Sequence, residues 1–294
     1  MTEVTGIHAT SVMMKERGTL YVCATPIGNM EDVSRRLITV LSTVHGIAAE
    51  DTRHTQKLLN YYGIKTQLIS YHHHNEQKRS EQIIGKLLDG HDIALVSDAG
   101  TPVVSDPGAV IVARARESGI PIVPIPGPSA VTAALSVSGF TDTNFCFLGF
   151  WSRDNKEKSE QIEVIESYPG VIVLYESPYR LAKTLVELSG YFPSYRVVIA
   201  RELTKLHEEI YAGDLAEAAK YFSQKDVKGE ITIILRGKVV KAIPEKEEML
   251  AYIEFLESRG KSKMDALKSA AKVYGVKKRE LYNLYEDDSL YLDS

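Results

Sequence analysis

The stretch Ile93-Ala94-Leu95-Val96-Ser97-Asp98-Ala99-Gly100-Thr101-Pro102-Val103-Val104-Ser105-Asp106-Pro107-Gly108 runs into a helical pattern over Ala109–Glu117 and then into Ile122-Val123-Pro124-Ile125. A short apolar run, a Gly/Pro-rich break, a helix and a second short apolar run form one strand–loop–helix–strand unit. Continuous apolar strands of this kind belong to a parallel sheet covered on both faces. The same rhythm extends outward on the N-terminal side. Strands are expected at residues 20–24, 46–49, 66–71, 93–97 and 122–125, with helices at 34–41, 55–62, 76–88 and 109–117. Together they make a first α/β lobe over residues 18–127, preceded by a loose leader at 1–17.

On the C-terminal side a small-residue helix at 129–138 opens a second lobe, residues 128–240. Strands are expected there at 145–149, 170–175, 196–200, 208–213 and 230–236, and helices at 157–166, 180–189 and 215–223. Alternating polarity and frequent turns predict a mixed or antiparallel sheet. After Pro244 only helical patterns remain, at 245–258, 262–274 and 277–287, which defines an all-helical extension over 244–294. Ser262 is placed to cap the second of these helices, with Asp265 three residues on, and Gly275 to end it. Between Ser258 and Tyr282 stand eight basic residues against two acidic ones. The spacing around Ala271, Gly275 and Leu281 is weakly like a helix-turn-helix.

Composition narrows the class. With 294 residues, 44% hydrophobic and 25% charged, the chain can bury a real core, and a net charge of −4 excludes a uniformly basic nucleic-acid coat. Cys23 and Cys146, both in apolar runs, read as reduced core thiols. No run of ~18 apolar residues and no signal-peptide pattern is present, so a cytoplasmic protein without a membrane span is expected. His72-His73-His74 lacks partners at zinc-like spacing, so no metal is expected. G-x-S-x-G, the P-loop and G-x-G-x-x-G are absent, which argues against a serine hydrolase and the common nucleotide folds.

Chemistry is expected where loops interrupt the rhythm at strand C-terminal ends, the edge at which open α/β sheets bind ligands. Ala24-Thr25-Pro26-Ile27-Gly28-Asn29 is a tight turn. Ala49-Glu50-Asp51-Thr52-Arg53-His54-Thr55 crowds charged groups at a helix start; capping explains Asp51 or a threonine, but not Glu50, Arg53 and His54 together. The loop 97–108 offers backbone donors and acceptors, with Asp106 and Pro107 also readable as the cap and first turn of the next helix. Ile125-Pro126-Gly127-Pro128-Ser129-Ala130 turns sharply, and Ser129 can cap the helix after it. In the second lobe, Tyr175-Glu176-Ser177-Pro178-Tyr179-Arg180 and Ala200-Arg201-Glu202-Leu203-Thr204-Lys205-Leu206-His207-Glu208-Glu209 each follow a strand.

In order, the motifs TPIGN, AAEDTRHT, SYHHHNE, LVSDAGTPVVSDPG, PIPGPSA, YESPYR and ARELTKLHEE resemble the ribosomal RNA small subunit methyltransferase I family, a branch of the tetrapyrrole-methylase-like (class III) S-adenosylmethionine enzymes. The resemblance covers about residues 18–240, and the trailing helices resemble that family's C-terminal extension. It implies a two-lobed α/β fold, often homodimeric, with S-adenosylmethionine in the cleft, acting as a cytidine 2′-O-methyltransferase on 16S ribosomal RNA of the small subunit. Implied cofactor contacts are Pro26, Asp98, Gly100, Thr101, Val104, Ser129, Ala130 and Tyr175. Gly100-Thr101-Pro102 stands where the wider superfamily has Gly-Asp-Pro, so Asp98 and Thr101 are alternative polar contacts. Tyr179 stands where relatives often carry histidine.

Methyl transfer to a ribose oxygen needs in-line alignment and removal of a proton. Candidate catalytic residues are Glu50, Asp51, His54, Lys205 and Glu208. Arg53, Arg180 and Arg201 suit RNA phosphates. Two rivals accompany this reading: a methylase of a tetrapyrrole or protein side chain from the same superfamily, and a non-catalytic assembly factor that holds S-adenosylmethionine and RNA.

Overall fold

The computed structural model describes residues 17–237, 246–274 and 276–292, and the chain separates into two compact units, 1–237 and 238–294. In the first unit, strands β1 (Leu20–Cys23), β2 (Gly46–Ala49), β3 (Leu68–Ser70), β4 (Ile93–Val96) and β5 (Ile122–Ile125) form one sheet in the order β3-β2-β4-β1-β5. All its pairings are parallel. Helices α1 (Arg35–Thr43), α2 (Thr52–Tyr61), α3 (Glu76–Leu88) and α4 (Ala109–Glu117) connect the strands. β2 and β4 are buried along their whole length, as their unbroken apolar runs require. Apolar clusters fill both faces, one around Leu37, Ile47 and Leu59, the other around Leu20, Ile83 and Ile111.

Helix α5 (Ala130–Val137) leads to a second sheet of β6 (Phe145–Phe150), β7 (Val171–Glu176), β8 (Arg196–Arg201), β9 (Glu209–Asp214) and β10 (Ile231–Arg236), ordered β6-β7-β10-β8-β9. The sheet is mixed: β6 pairs parallel with β7, and the remaining pairs are antiparallel. α6 (Asn155–Ser167), α7 (Leu181–Tyr191) and α8 (Leu215–Phe222) complete the lobe around a core that includes Trp151, Leu185 and Ile233.

Local chemistry sets the helix starts. Ser34 accepts the Leu37 N–H, and Asp51 accepts the Arg53 N–H, so α2 begins three residues before the expected boundary. Two expected caps are corrected. α4 starts after Gly108, whose φ of 139° suits glycine alone, so Asp106 and Pro107 lie outside the helix. Ser129 occupies the cap position of α5 without a side-chain capping bond. Cys23 and Cys146 are free, Cys23 buried and Cys146 half-buried. The expected leader lies outside the described residues except for Arg17, which donates to the carbonyls of Ser118 and Gly119.

The second unit holds α9 (Lys246–Ser258), α10 (Lys263–Tyr274) and α11 (Lys278–Leu292). Met249, Ile253, Ala266, Leu267, Ala270 and Leu281 form its own core. The Ser262 hydroxyl accepts the Asp265 N–H and donates to the Asp265 carboxylate, which closes the start of α10 as expected. Gly275, expected to end that helix, lies outside the described residues. Among the described residues no helix is long and apolar enough to cross a membrane.

Candidate active site

In the parallel sheet, the connection from β1 crosses over β4 to reach β2, and the connection from β4 crosses over β1 to reach β5. Between the C-terminal ends of β1 and β4 lies the crevice that such a switch opens. A two-way bridge pins the loops there: the Thr25 N–H donates to the Gly100 carbonyl (2.8 Å) and the Gly100 N–H to the Thr25 carbonyl (3.1 Å). The antiparallel β10 brings its N-terminal end beside the C-terminal ends of β7 and β8, with Thr232 opposite both Tyr175 and Ala200. Facing these two edges toward each other produces a cavity of about 300 Å³.

Backbone strain concentrates in the loops around it. Among the described residues, the non-glycine positions with positive φ are Val103 (76°), Ser105 (65°), Glu202 (52°) and Thr204 (67°). Val103 is β-branched and pays most for that conformation. Two pairs of strained residues, one from each lobe, mark the loops as built for a site rather than for a connection. Gly28 lets the lobes meet: a Cβ there would lie 2.5 Å from Lys205 Cγ and 2.9 Å from the Leu203 carbonyl oxygen.

Of the residues implied as cofactor contacts, Gly100, Thr101, Val104, Ser129, Ala130 and Tyr175 line this cavity. Pro26 and Asp98 instead line a second cavity of about 190 Å³, which shares Ile27, Ala99 and Glu230 with the first. The two alternative polar contacts are therefore separated. Thr101 faces the first cavity and donates to the Pro128 carbonyl (3.3 Å). Asp98 faces the second, and its Oδ1 accepts the Asp51 N–H (3.0 Å).

The catalytic candidates also divide. His54 and Lys205 line the second cavity. Lys205 Nζ donates to Glu202 Oε1 (2.8 Å) and Glu230 Oε2 (3.1 Å). Burial opposes its charge, but the two carboxylates outweigh burial and hold its pKa above the usual lysine value. Asp51, Glu50 and Glu208 line neither cavity. Asp51 is engaged at the start of α2, where its carboxylate receives the Arg53 N–H and a two-pronged pairing from the Arg53 guanidinium. That pairing holds its pKa well below the usual carboxylate range. Glu208 receives the Thr204 N–H (2.6 Å) and thereby shapes the strained loop. Burial, then the charge of Asp98, pushes the Glu50 carboxyl up, against the opposing pull of His73.

Of the three arginines expected to meet phosphate, Arg53 is on the surface, its side chain 89% exposed. Arg180 is tied into the wall, donating to the Trp151 carbonyl (2.7 Å) and pairing with Glu176 (3.5 Å). Arg201 is tied to Glu209 (3.0 Å) and to the Lys228 carbonyl.

Glu230, outside every motif, and Asp106, readable in its motif as a helix cap, also reach the site. Glu230 borders both cavities, and Asp106 lines the first. Burial, then the charge of Glu50, pushes the Asp106 carboxyl up to about 6; the Ser97 hydroxyl opposes the shift. The native state therefore holds this proton more tightly than the unfolded chain does. The stability it contributes is full below about pH 4 and is lost as pH rises through about 6. Asp106→Asn is expected to raise the urea midpoint relative to wild type at pH 7.5 and to lose that advantage at pH 4. Parallel pH profiles of the two proteins would contradict this assignment.

The fold and the switch-point cavity define a class, the tetrapyrrole (corrin/porphyrin) methylases, whose family model matches residues 19–219. Two solved structures share the architecture. Diphthine synthase has a TM-score of 0.61 at 14% identity, over 75% of this chain and 90% of its own. Uroporphyrin-III C-methyl transferase from Thermus thermophilus, complexed with S-adenyl homocysteine, has a TM-score of 0.54 at 16% identity, over 76% of this chain and 99% of its own. Ribosomal RNA small subunit methyltransferase I of Halalkalibacterium halodurans is 41% identical over 278 residues, 93% of this chain and 96% of that one. The chain belongs to the ribosomal RNA small subunit methyltransferase I family within the tetrapyrrole methylases.

Proposed function

We propose that the chain transfers a methyl group from S-adenosylmethionine to the 2′-oxygen of a cytidine ribose in 16S ribosomal RNA of the small subunit. The observation that carries this reading is the pair of adjoining cavities with a shared wall at Ile27, Ala99 and Glu230. One holds the donor, and the other admits the acceptor beside it. The first cavity fits S-adenosylmethionine. Its volume lies at the lower end of the roughly 300–1,000 Å³ of small-molecule pockets. Ala130, Val104 and Ile231 supply apolar wall, and Asp106 supplies a carboxylate for a ligand that carries a sulfonium and an ammonium.

When bound, the cofactor supplies an electrophilic methyl group to an oxygen nucleophile. The chain supplies alignment and proton handling. Glu230, at the shared wall, accepts the proton of the attacking hydroxyl. Lys205, held protonated between Glu202 and Glu230, stabilises the negative charge that develops on the oxygen. The missing Cβ of Gly28 leaves room for the Lys205 and Thr204 side chains and the Leu203 carbonyl beside this wall. A tetrapyrrole acceptor is disfavoured by the size of the second cavity, about 190 Å³, whose mostly apolar wall carries Asp98, Lys205 and Glu230 and suits a small polar ring rather than a macrocycle. The same reading places the protein in the cytoplasm and makes it a homodimer, for which sedimentation at twice the chain mass is the expected result.

Alkaline hydrolysis of RNA needs a free 2′-hydroxyl. Small-subunit RNA treated with the protein and cofactor is therefore expected to yield one alkali-resistant dinucleotide carrying a 2′-O-methylcytidine. A methyl group found on a base would overturn the ribose assignment.

The helical extension is proposed as an RNA-holding module. Its Arg259 stacks on Phe255 (5.4 Å) and its Lys263 on Tyr285 (4.5 Å), which orders cations beside aromatic surface. Deleting residues 244–294 is expected to weaken binding of small-subunit RNA and to flatten the dependence of log affinity on log salt. Unchanged affinity and slope in a filter-binding titration would reject the role.

A further inference from the structure

The geometry points to the second cavity as a pocket for the nucleobase of the acceptor, reading an exocyclic amine through Asp98 and Thr55. The inference rests on the RNA-ribose reading above and names the substrate feature that the same site selects.

Thr55, only 3% exposed, lines the cavity, and its Oγ1 has no hydrogen-bond partner among the described residues. A helical threonine ordinarily returns its hydroxyl to the carbonyl four residues back. Here that bond is not made, and a buried unpaired hydroxyl costs stability that a ligand would restore. The neighbouring hydroxyls are already engaged: Thr25 donates to the Ser97 carbonyl (3.1 Å) and Ser97 to the Ala99 carbonyl (3.3 Å). Thr55 is thus the hydroxyl left for a guest.

Asp98 supplies the second group. Its Oδ1 takes the Asp51 N–H, and its Oδ2 accepts no hydrogen bond among the described residues. A carboxylate oxygen beside a hydroxyl that can also accept forms a site for N–H donors. The 4-amino group of cytosine is such a donor, and carboxylates accept from it in base recognition. Uracil presents a carbonyl oxygen at the same place and is repelled. Lys205 uses two of its three N–H groups on Glu202 and Glu230 and keeps the third for the reacting oxygen, so reading of the base falls to Asp98 and Thr55. Pro26, Met30 and Leu58 give the pocket apolar walls for a flat ring, and about 190 Å³ admits a single ring. Bases of single-stranded or distorted RNA can be splayed into such a pocket.

The test uses isolated small ribosomal subunits that lack the methyl group, with cytosine or uracil at the mapped acceptor position, and the full-length protein. Wild type is expected to favour cytosine by roughly ten- to a hundredfold in kcat/KM. Asp98→Asn keeps an oxygen for the Asp51 N–H and turns an N–H donor toward the pocket. It is expected to lose rate on cytosine and gain rate on uracil. Thr55→Val, which removes the unpaired hydroxyl without changing shape, should retain the fold. Its kcat/KM on cytosine is expected to fall roughly two- to tenfold. Cofactor affinity, read by calorimetry, should stay at the wild-type value in Thr55→Val, because Thr55 lines the second cavity and not the first.

A wild-type cytosine-to-uracil ratio in both variants would overturn the pocket assignment and leave the ribose reading standing. So would a loss of cofactor affinity in Thr55→Val that matches its loss of rate. Absence of any methyl group on RNA with the wild-type protein would overturn both.

Discussion

Replacing Lys205 with alanine is expected to slow single-turnover methyl transfer to small-subunit RNA by about 10²–10⁴-fold, the range for a positioned proton-handling or charge-stabilising group. Cofactor affinity should stay near the wild-type value, because Lys205 lines the second cavity and not the first. The size of the effect follows from its position. The ammonium bridges Glu202 and Glu230, so its loss removes a cation from the reacting oxygen and leaves two carboxylates facing each other across the gap. His54→Ala and Glu50→Gln should cost less, His54 because it is exposed at the cavity mouth and Glu50 because it lines neither cavity. Full single-turnover rates in all three variants, measured by quench-flow with labelled cofactor, would remove this site from the mechanism.

The second large effect is on stability. The Glu176 side chain has no exposed surface; its Oε1 receives the Ser177 N–H (2.7 Å) and its Oε2 the Thr184 hydroxyl (2.5 Å), with the Arg180 guanidinium at 3.5 Å. Glu176→Ala removes the charge partner of Arg180, which is 23% exposed and keeps its bond to the Trp151 carbonyl, and leaves the buried Thr184 hydroxyl without its acceptor at the end of β7. Leaving a buried donor unsatisfied and emptying the space of the side chain costs about 2–3 kcal/mol. Urea unfolding should show that loss. Because Tyr175, Glu176 and Ser177 wall the first cavity, the folded variant should also bind the cofactor more weakly. A loss below about 1 kcal/mol, the ordinary level for a point substitution, would mean that the network is not needed there.

The elements that local chemistry dictates were legible in the sequence. The runs at 46–49, 93–97 and 122–125 form strands as their apolar continuity predicts, the middle one ending at Val96, and the Ser262 cap forms as its spacing predicts. The loops after β1, β4 and β5 stand at the ligand edge because strand ends in a parallel sheet share one side. Contacts between distant segments were not legible. Nothing near Glu230 says that an antiparallel β10 sets the next residue, Ile231, opposite Glu176 and Arg201. Nothing near Gly28 says that its missing Cβ makes room for Lys205. Asp106 was read as a helix cap because Asp-Pro-Gly is cap chemistry. The positive φ of Gly108 moves the helix start past it and leaves its carboxylate in the cavity. Arg180 and Arg201 looked like free cations although Glu176 and Glu209, their ion-pair partners, stand in the same motifs; the carbonyls of Trp151 and Lys228, 29 and 27 residues away, complete the ties and were not legible.

Incubating the wild-type protein with methyl-labelled S-adenosylmethionine and small ribosomal subunits that lack the modification, then mapping the label, tests the central claim most directly. The account predicts label on the 2′-oxygen of one cytidine in 16S ribosomal RNA. Label on ribosomal protein alone, or on no component of the subunit while the cofactor still binds, would contradict it.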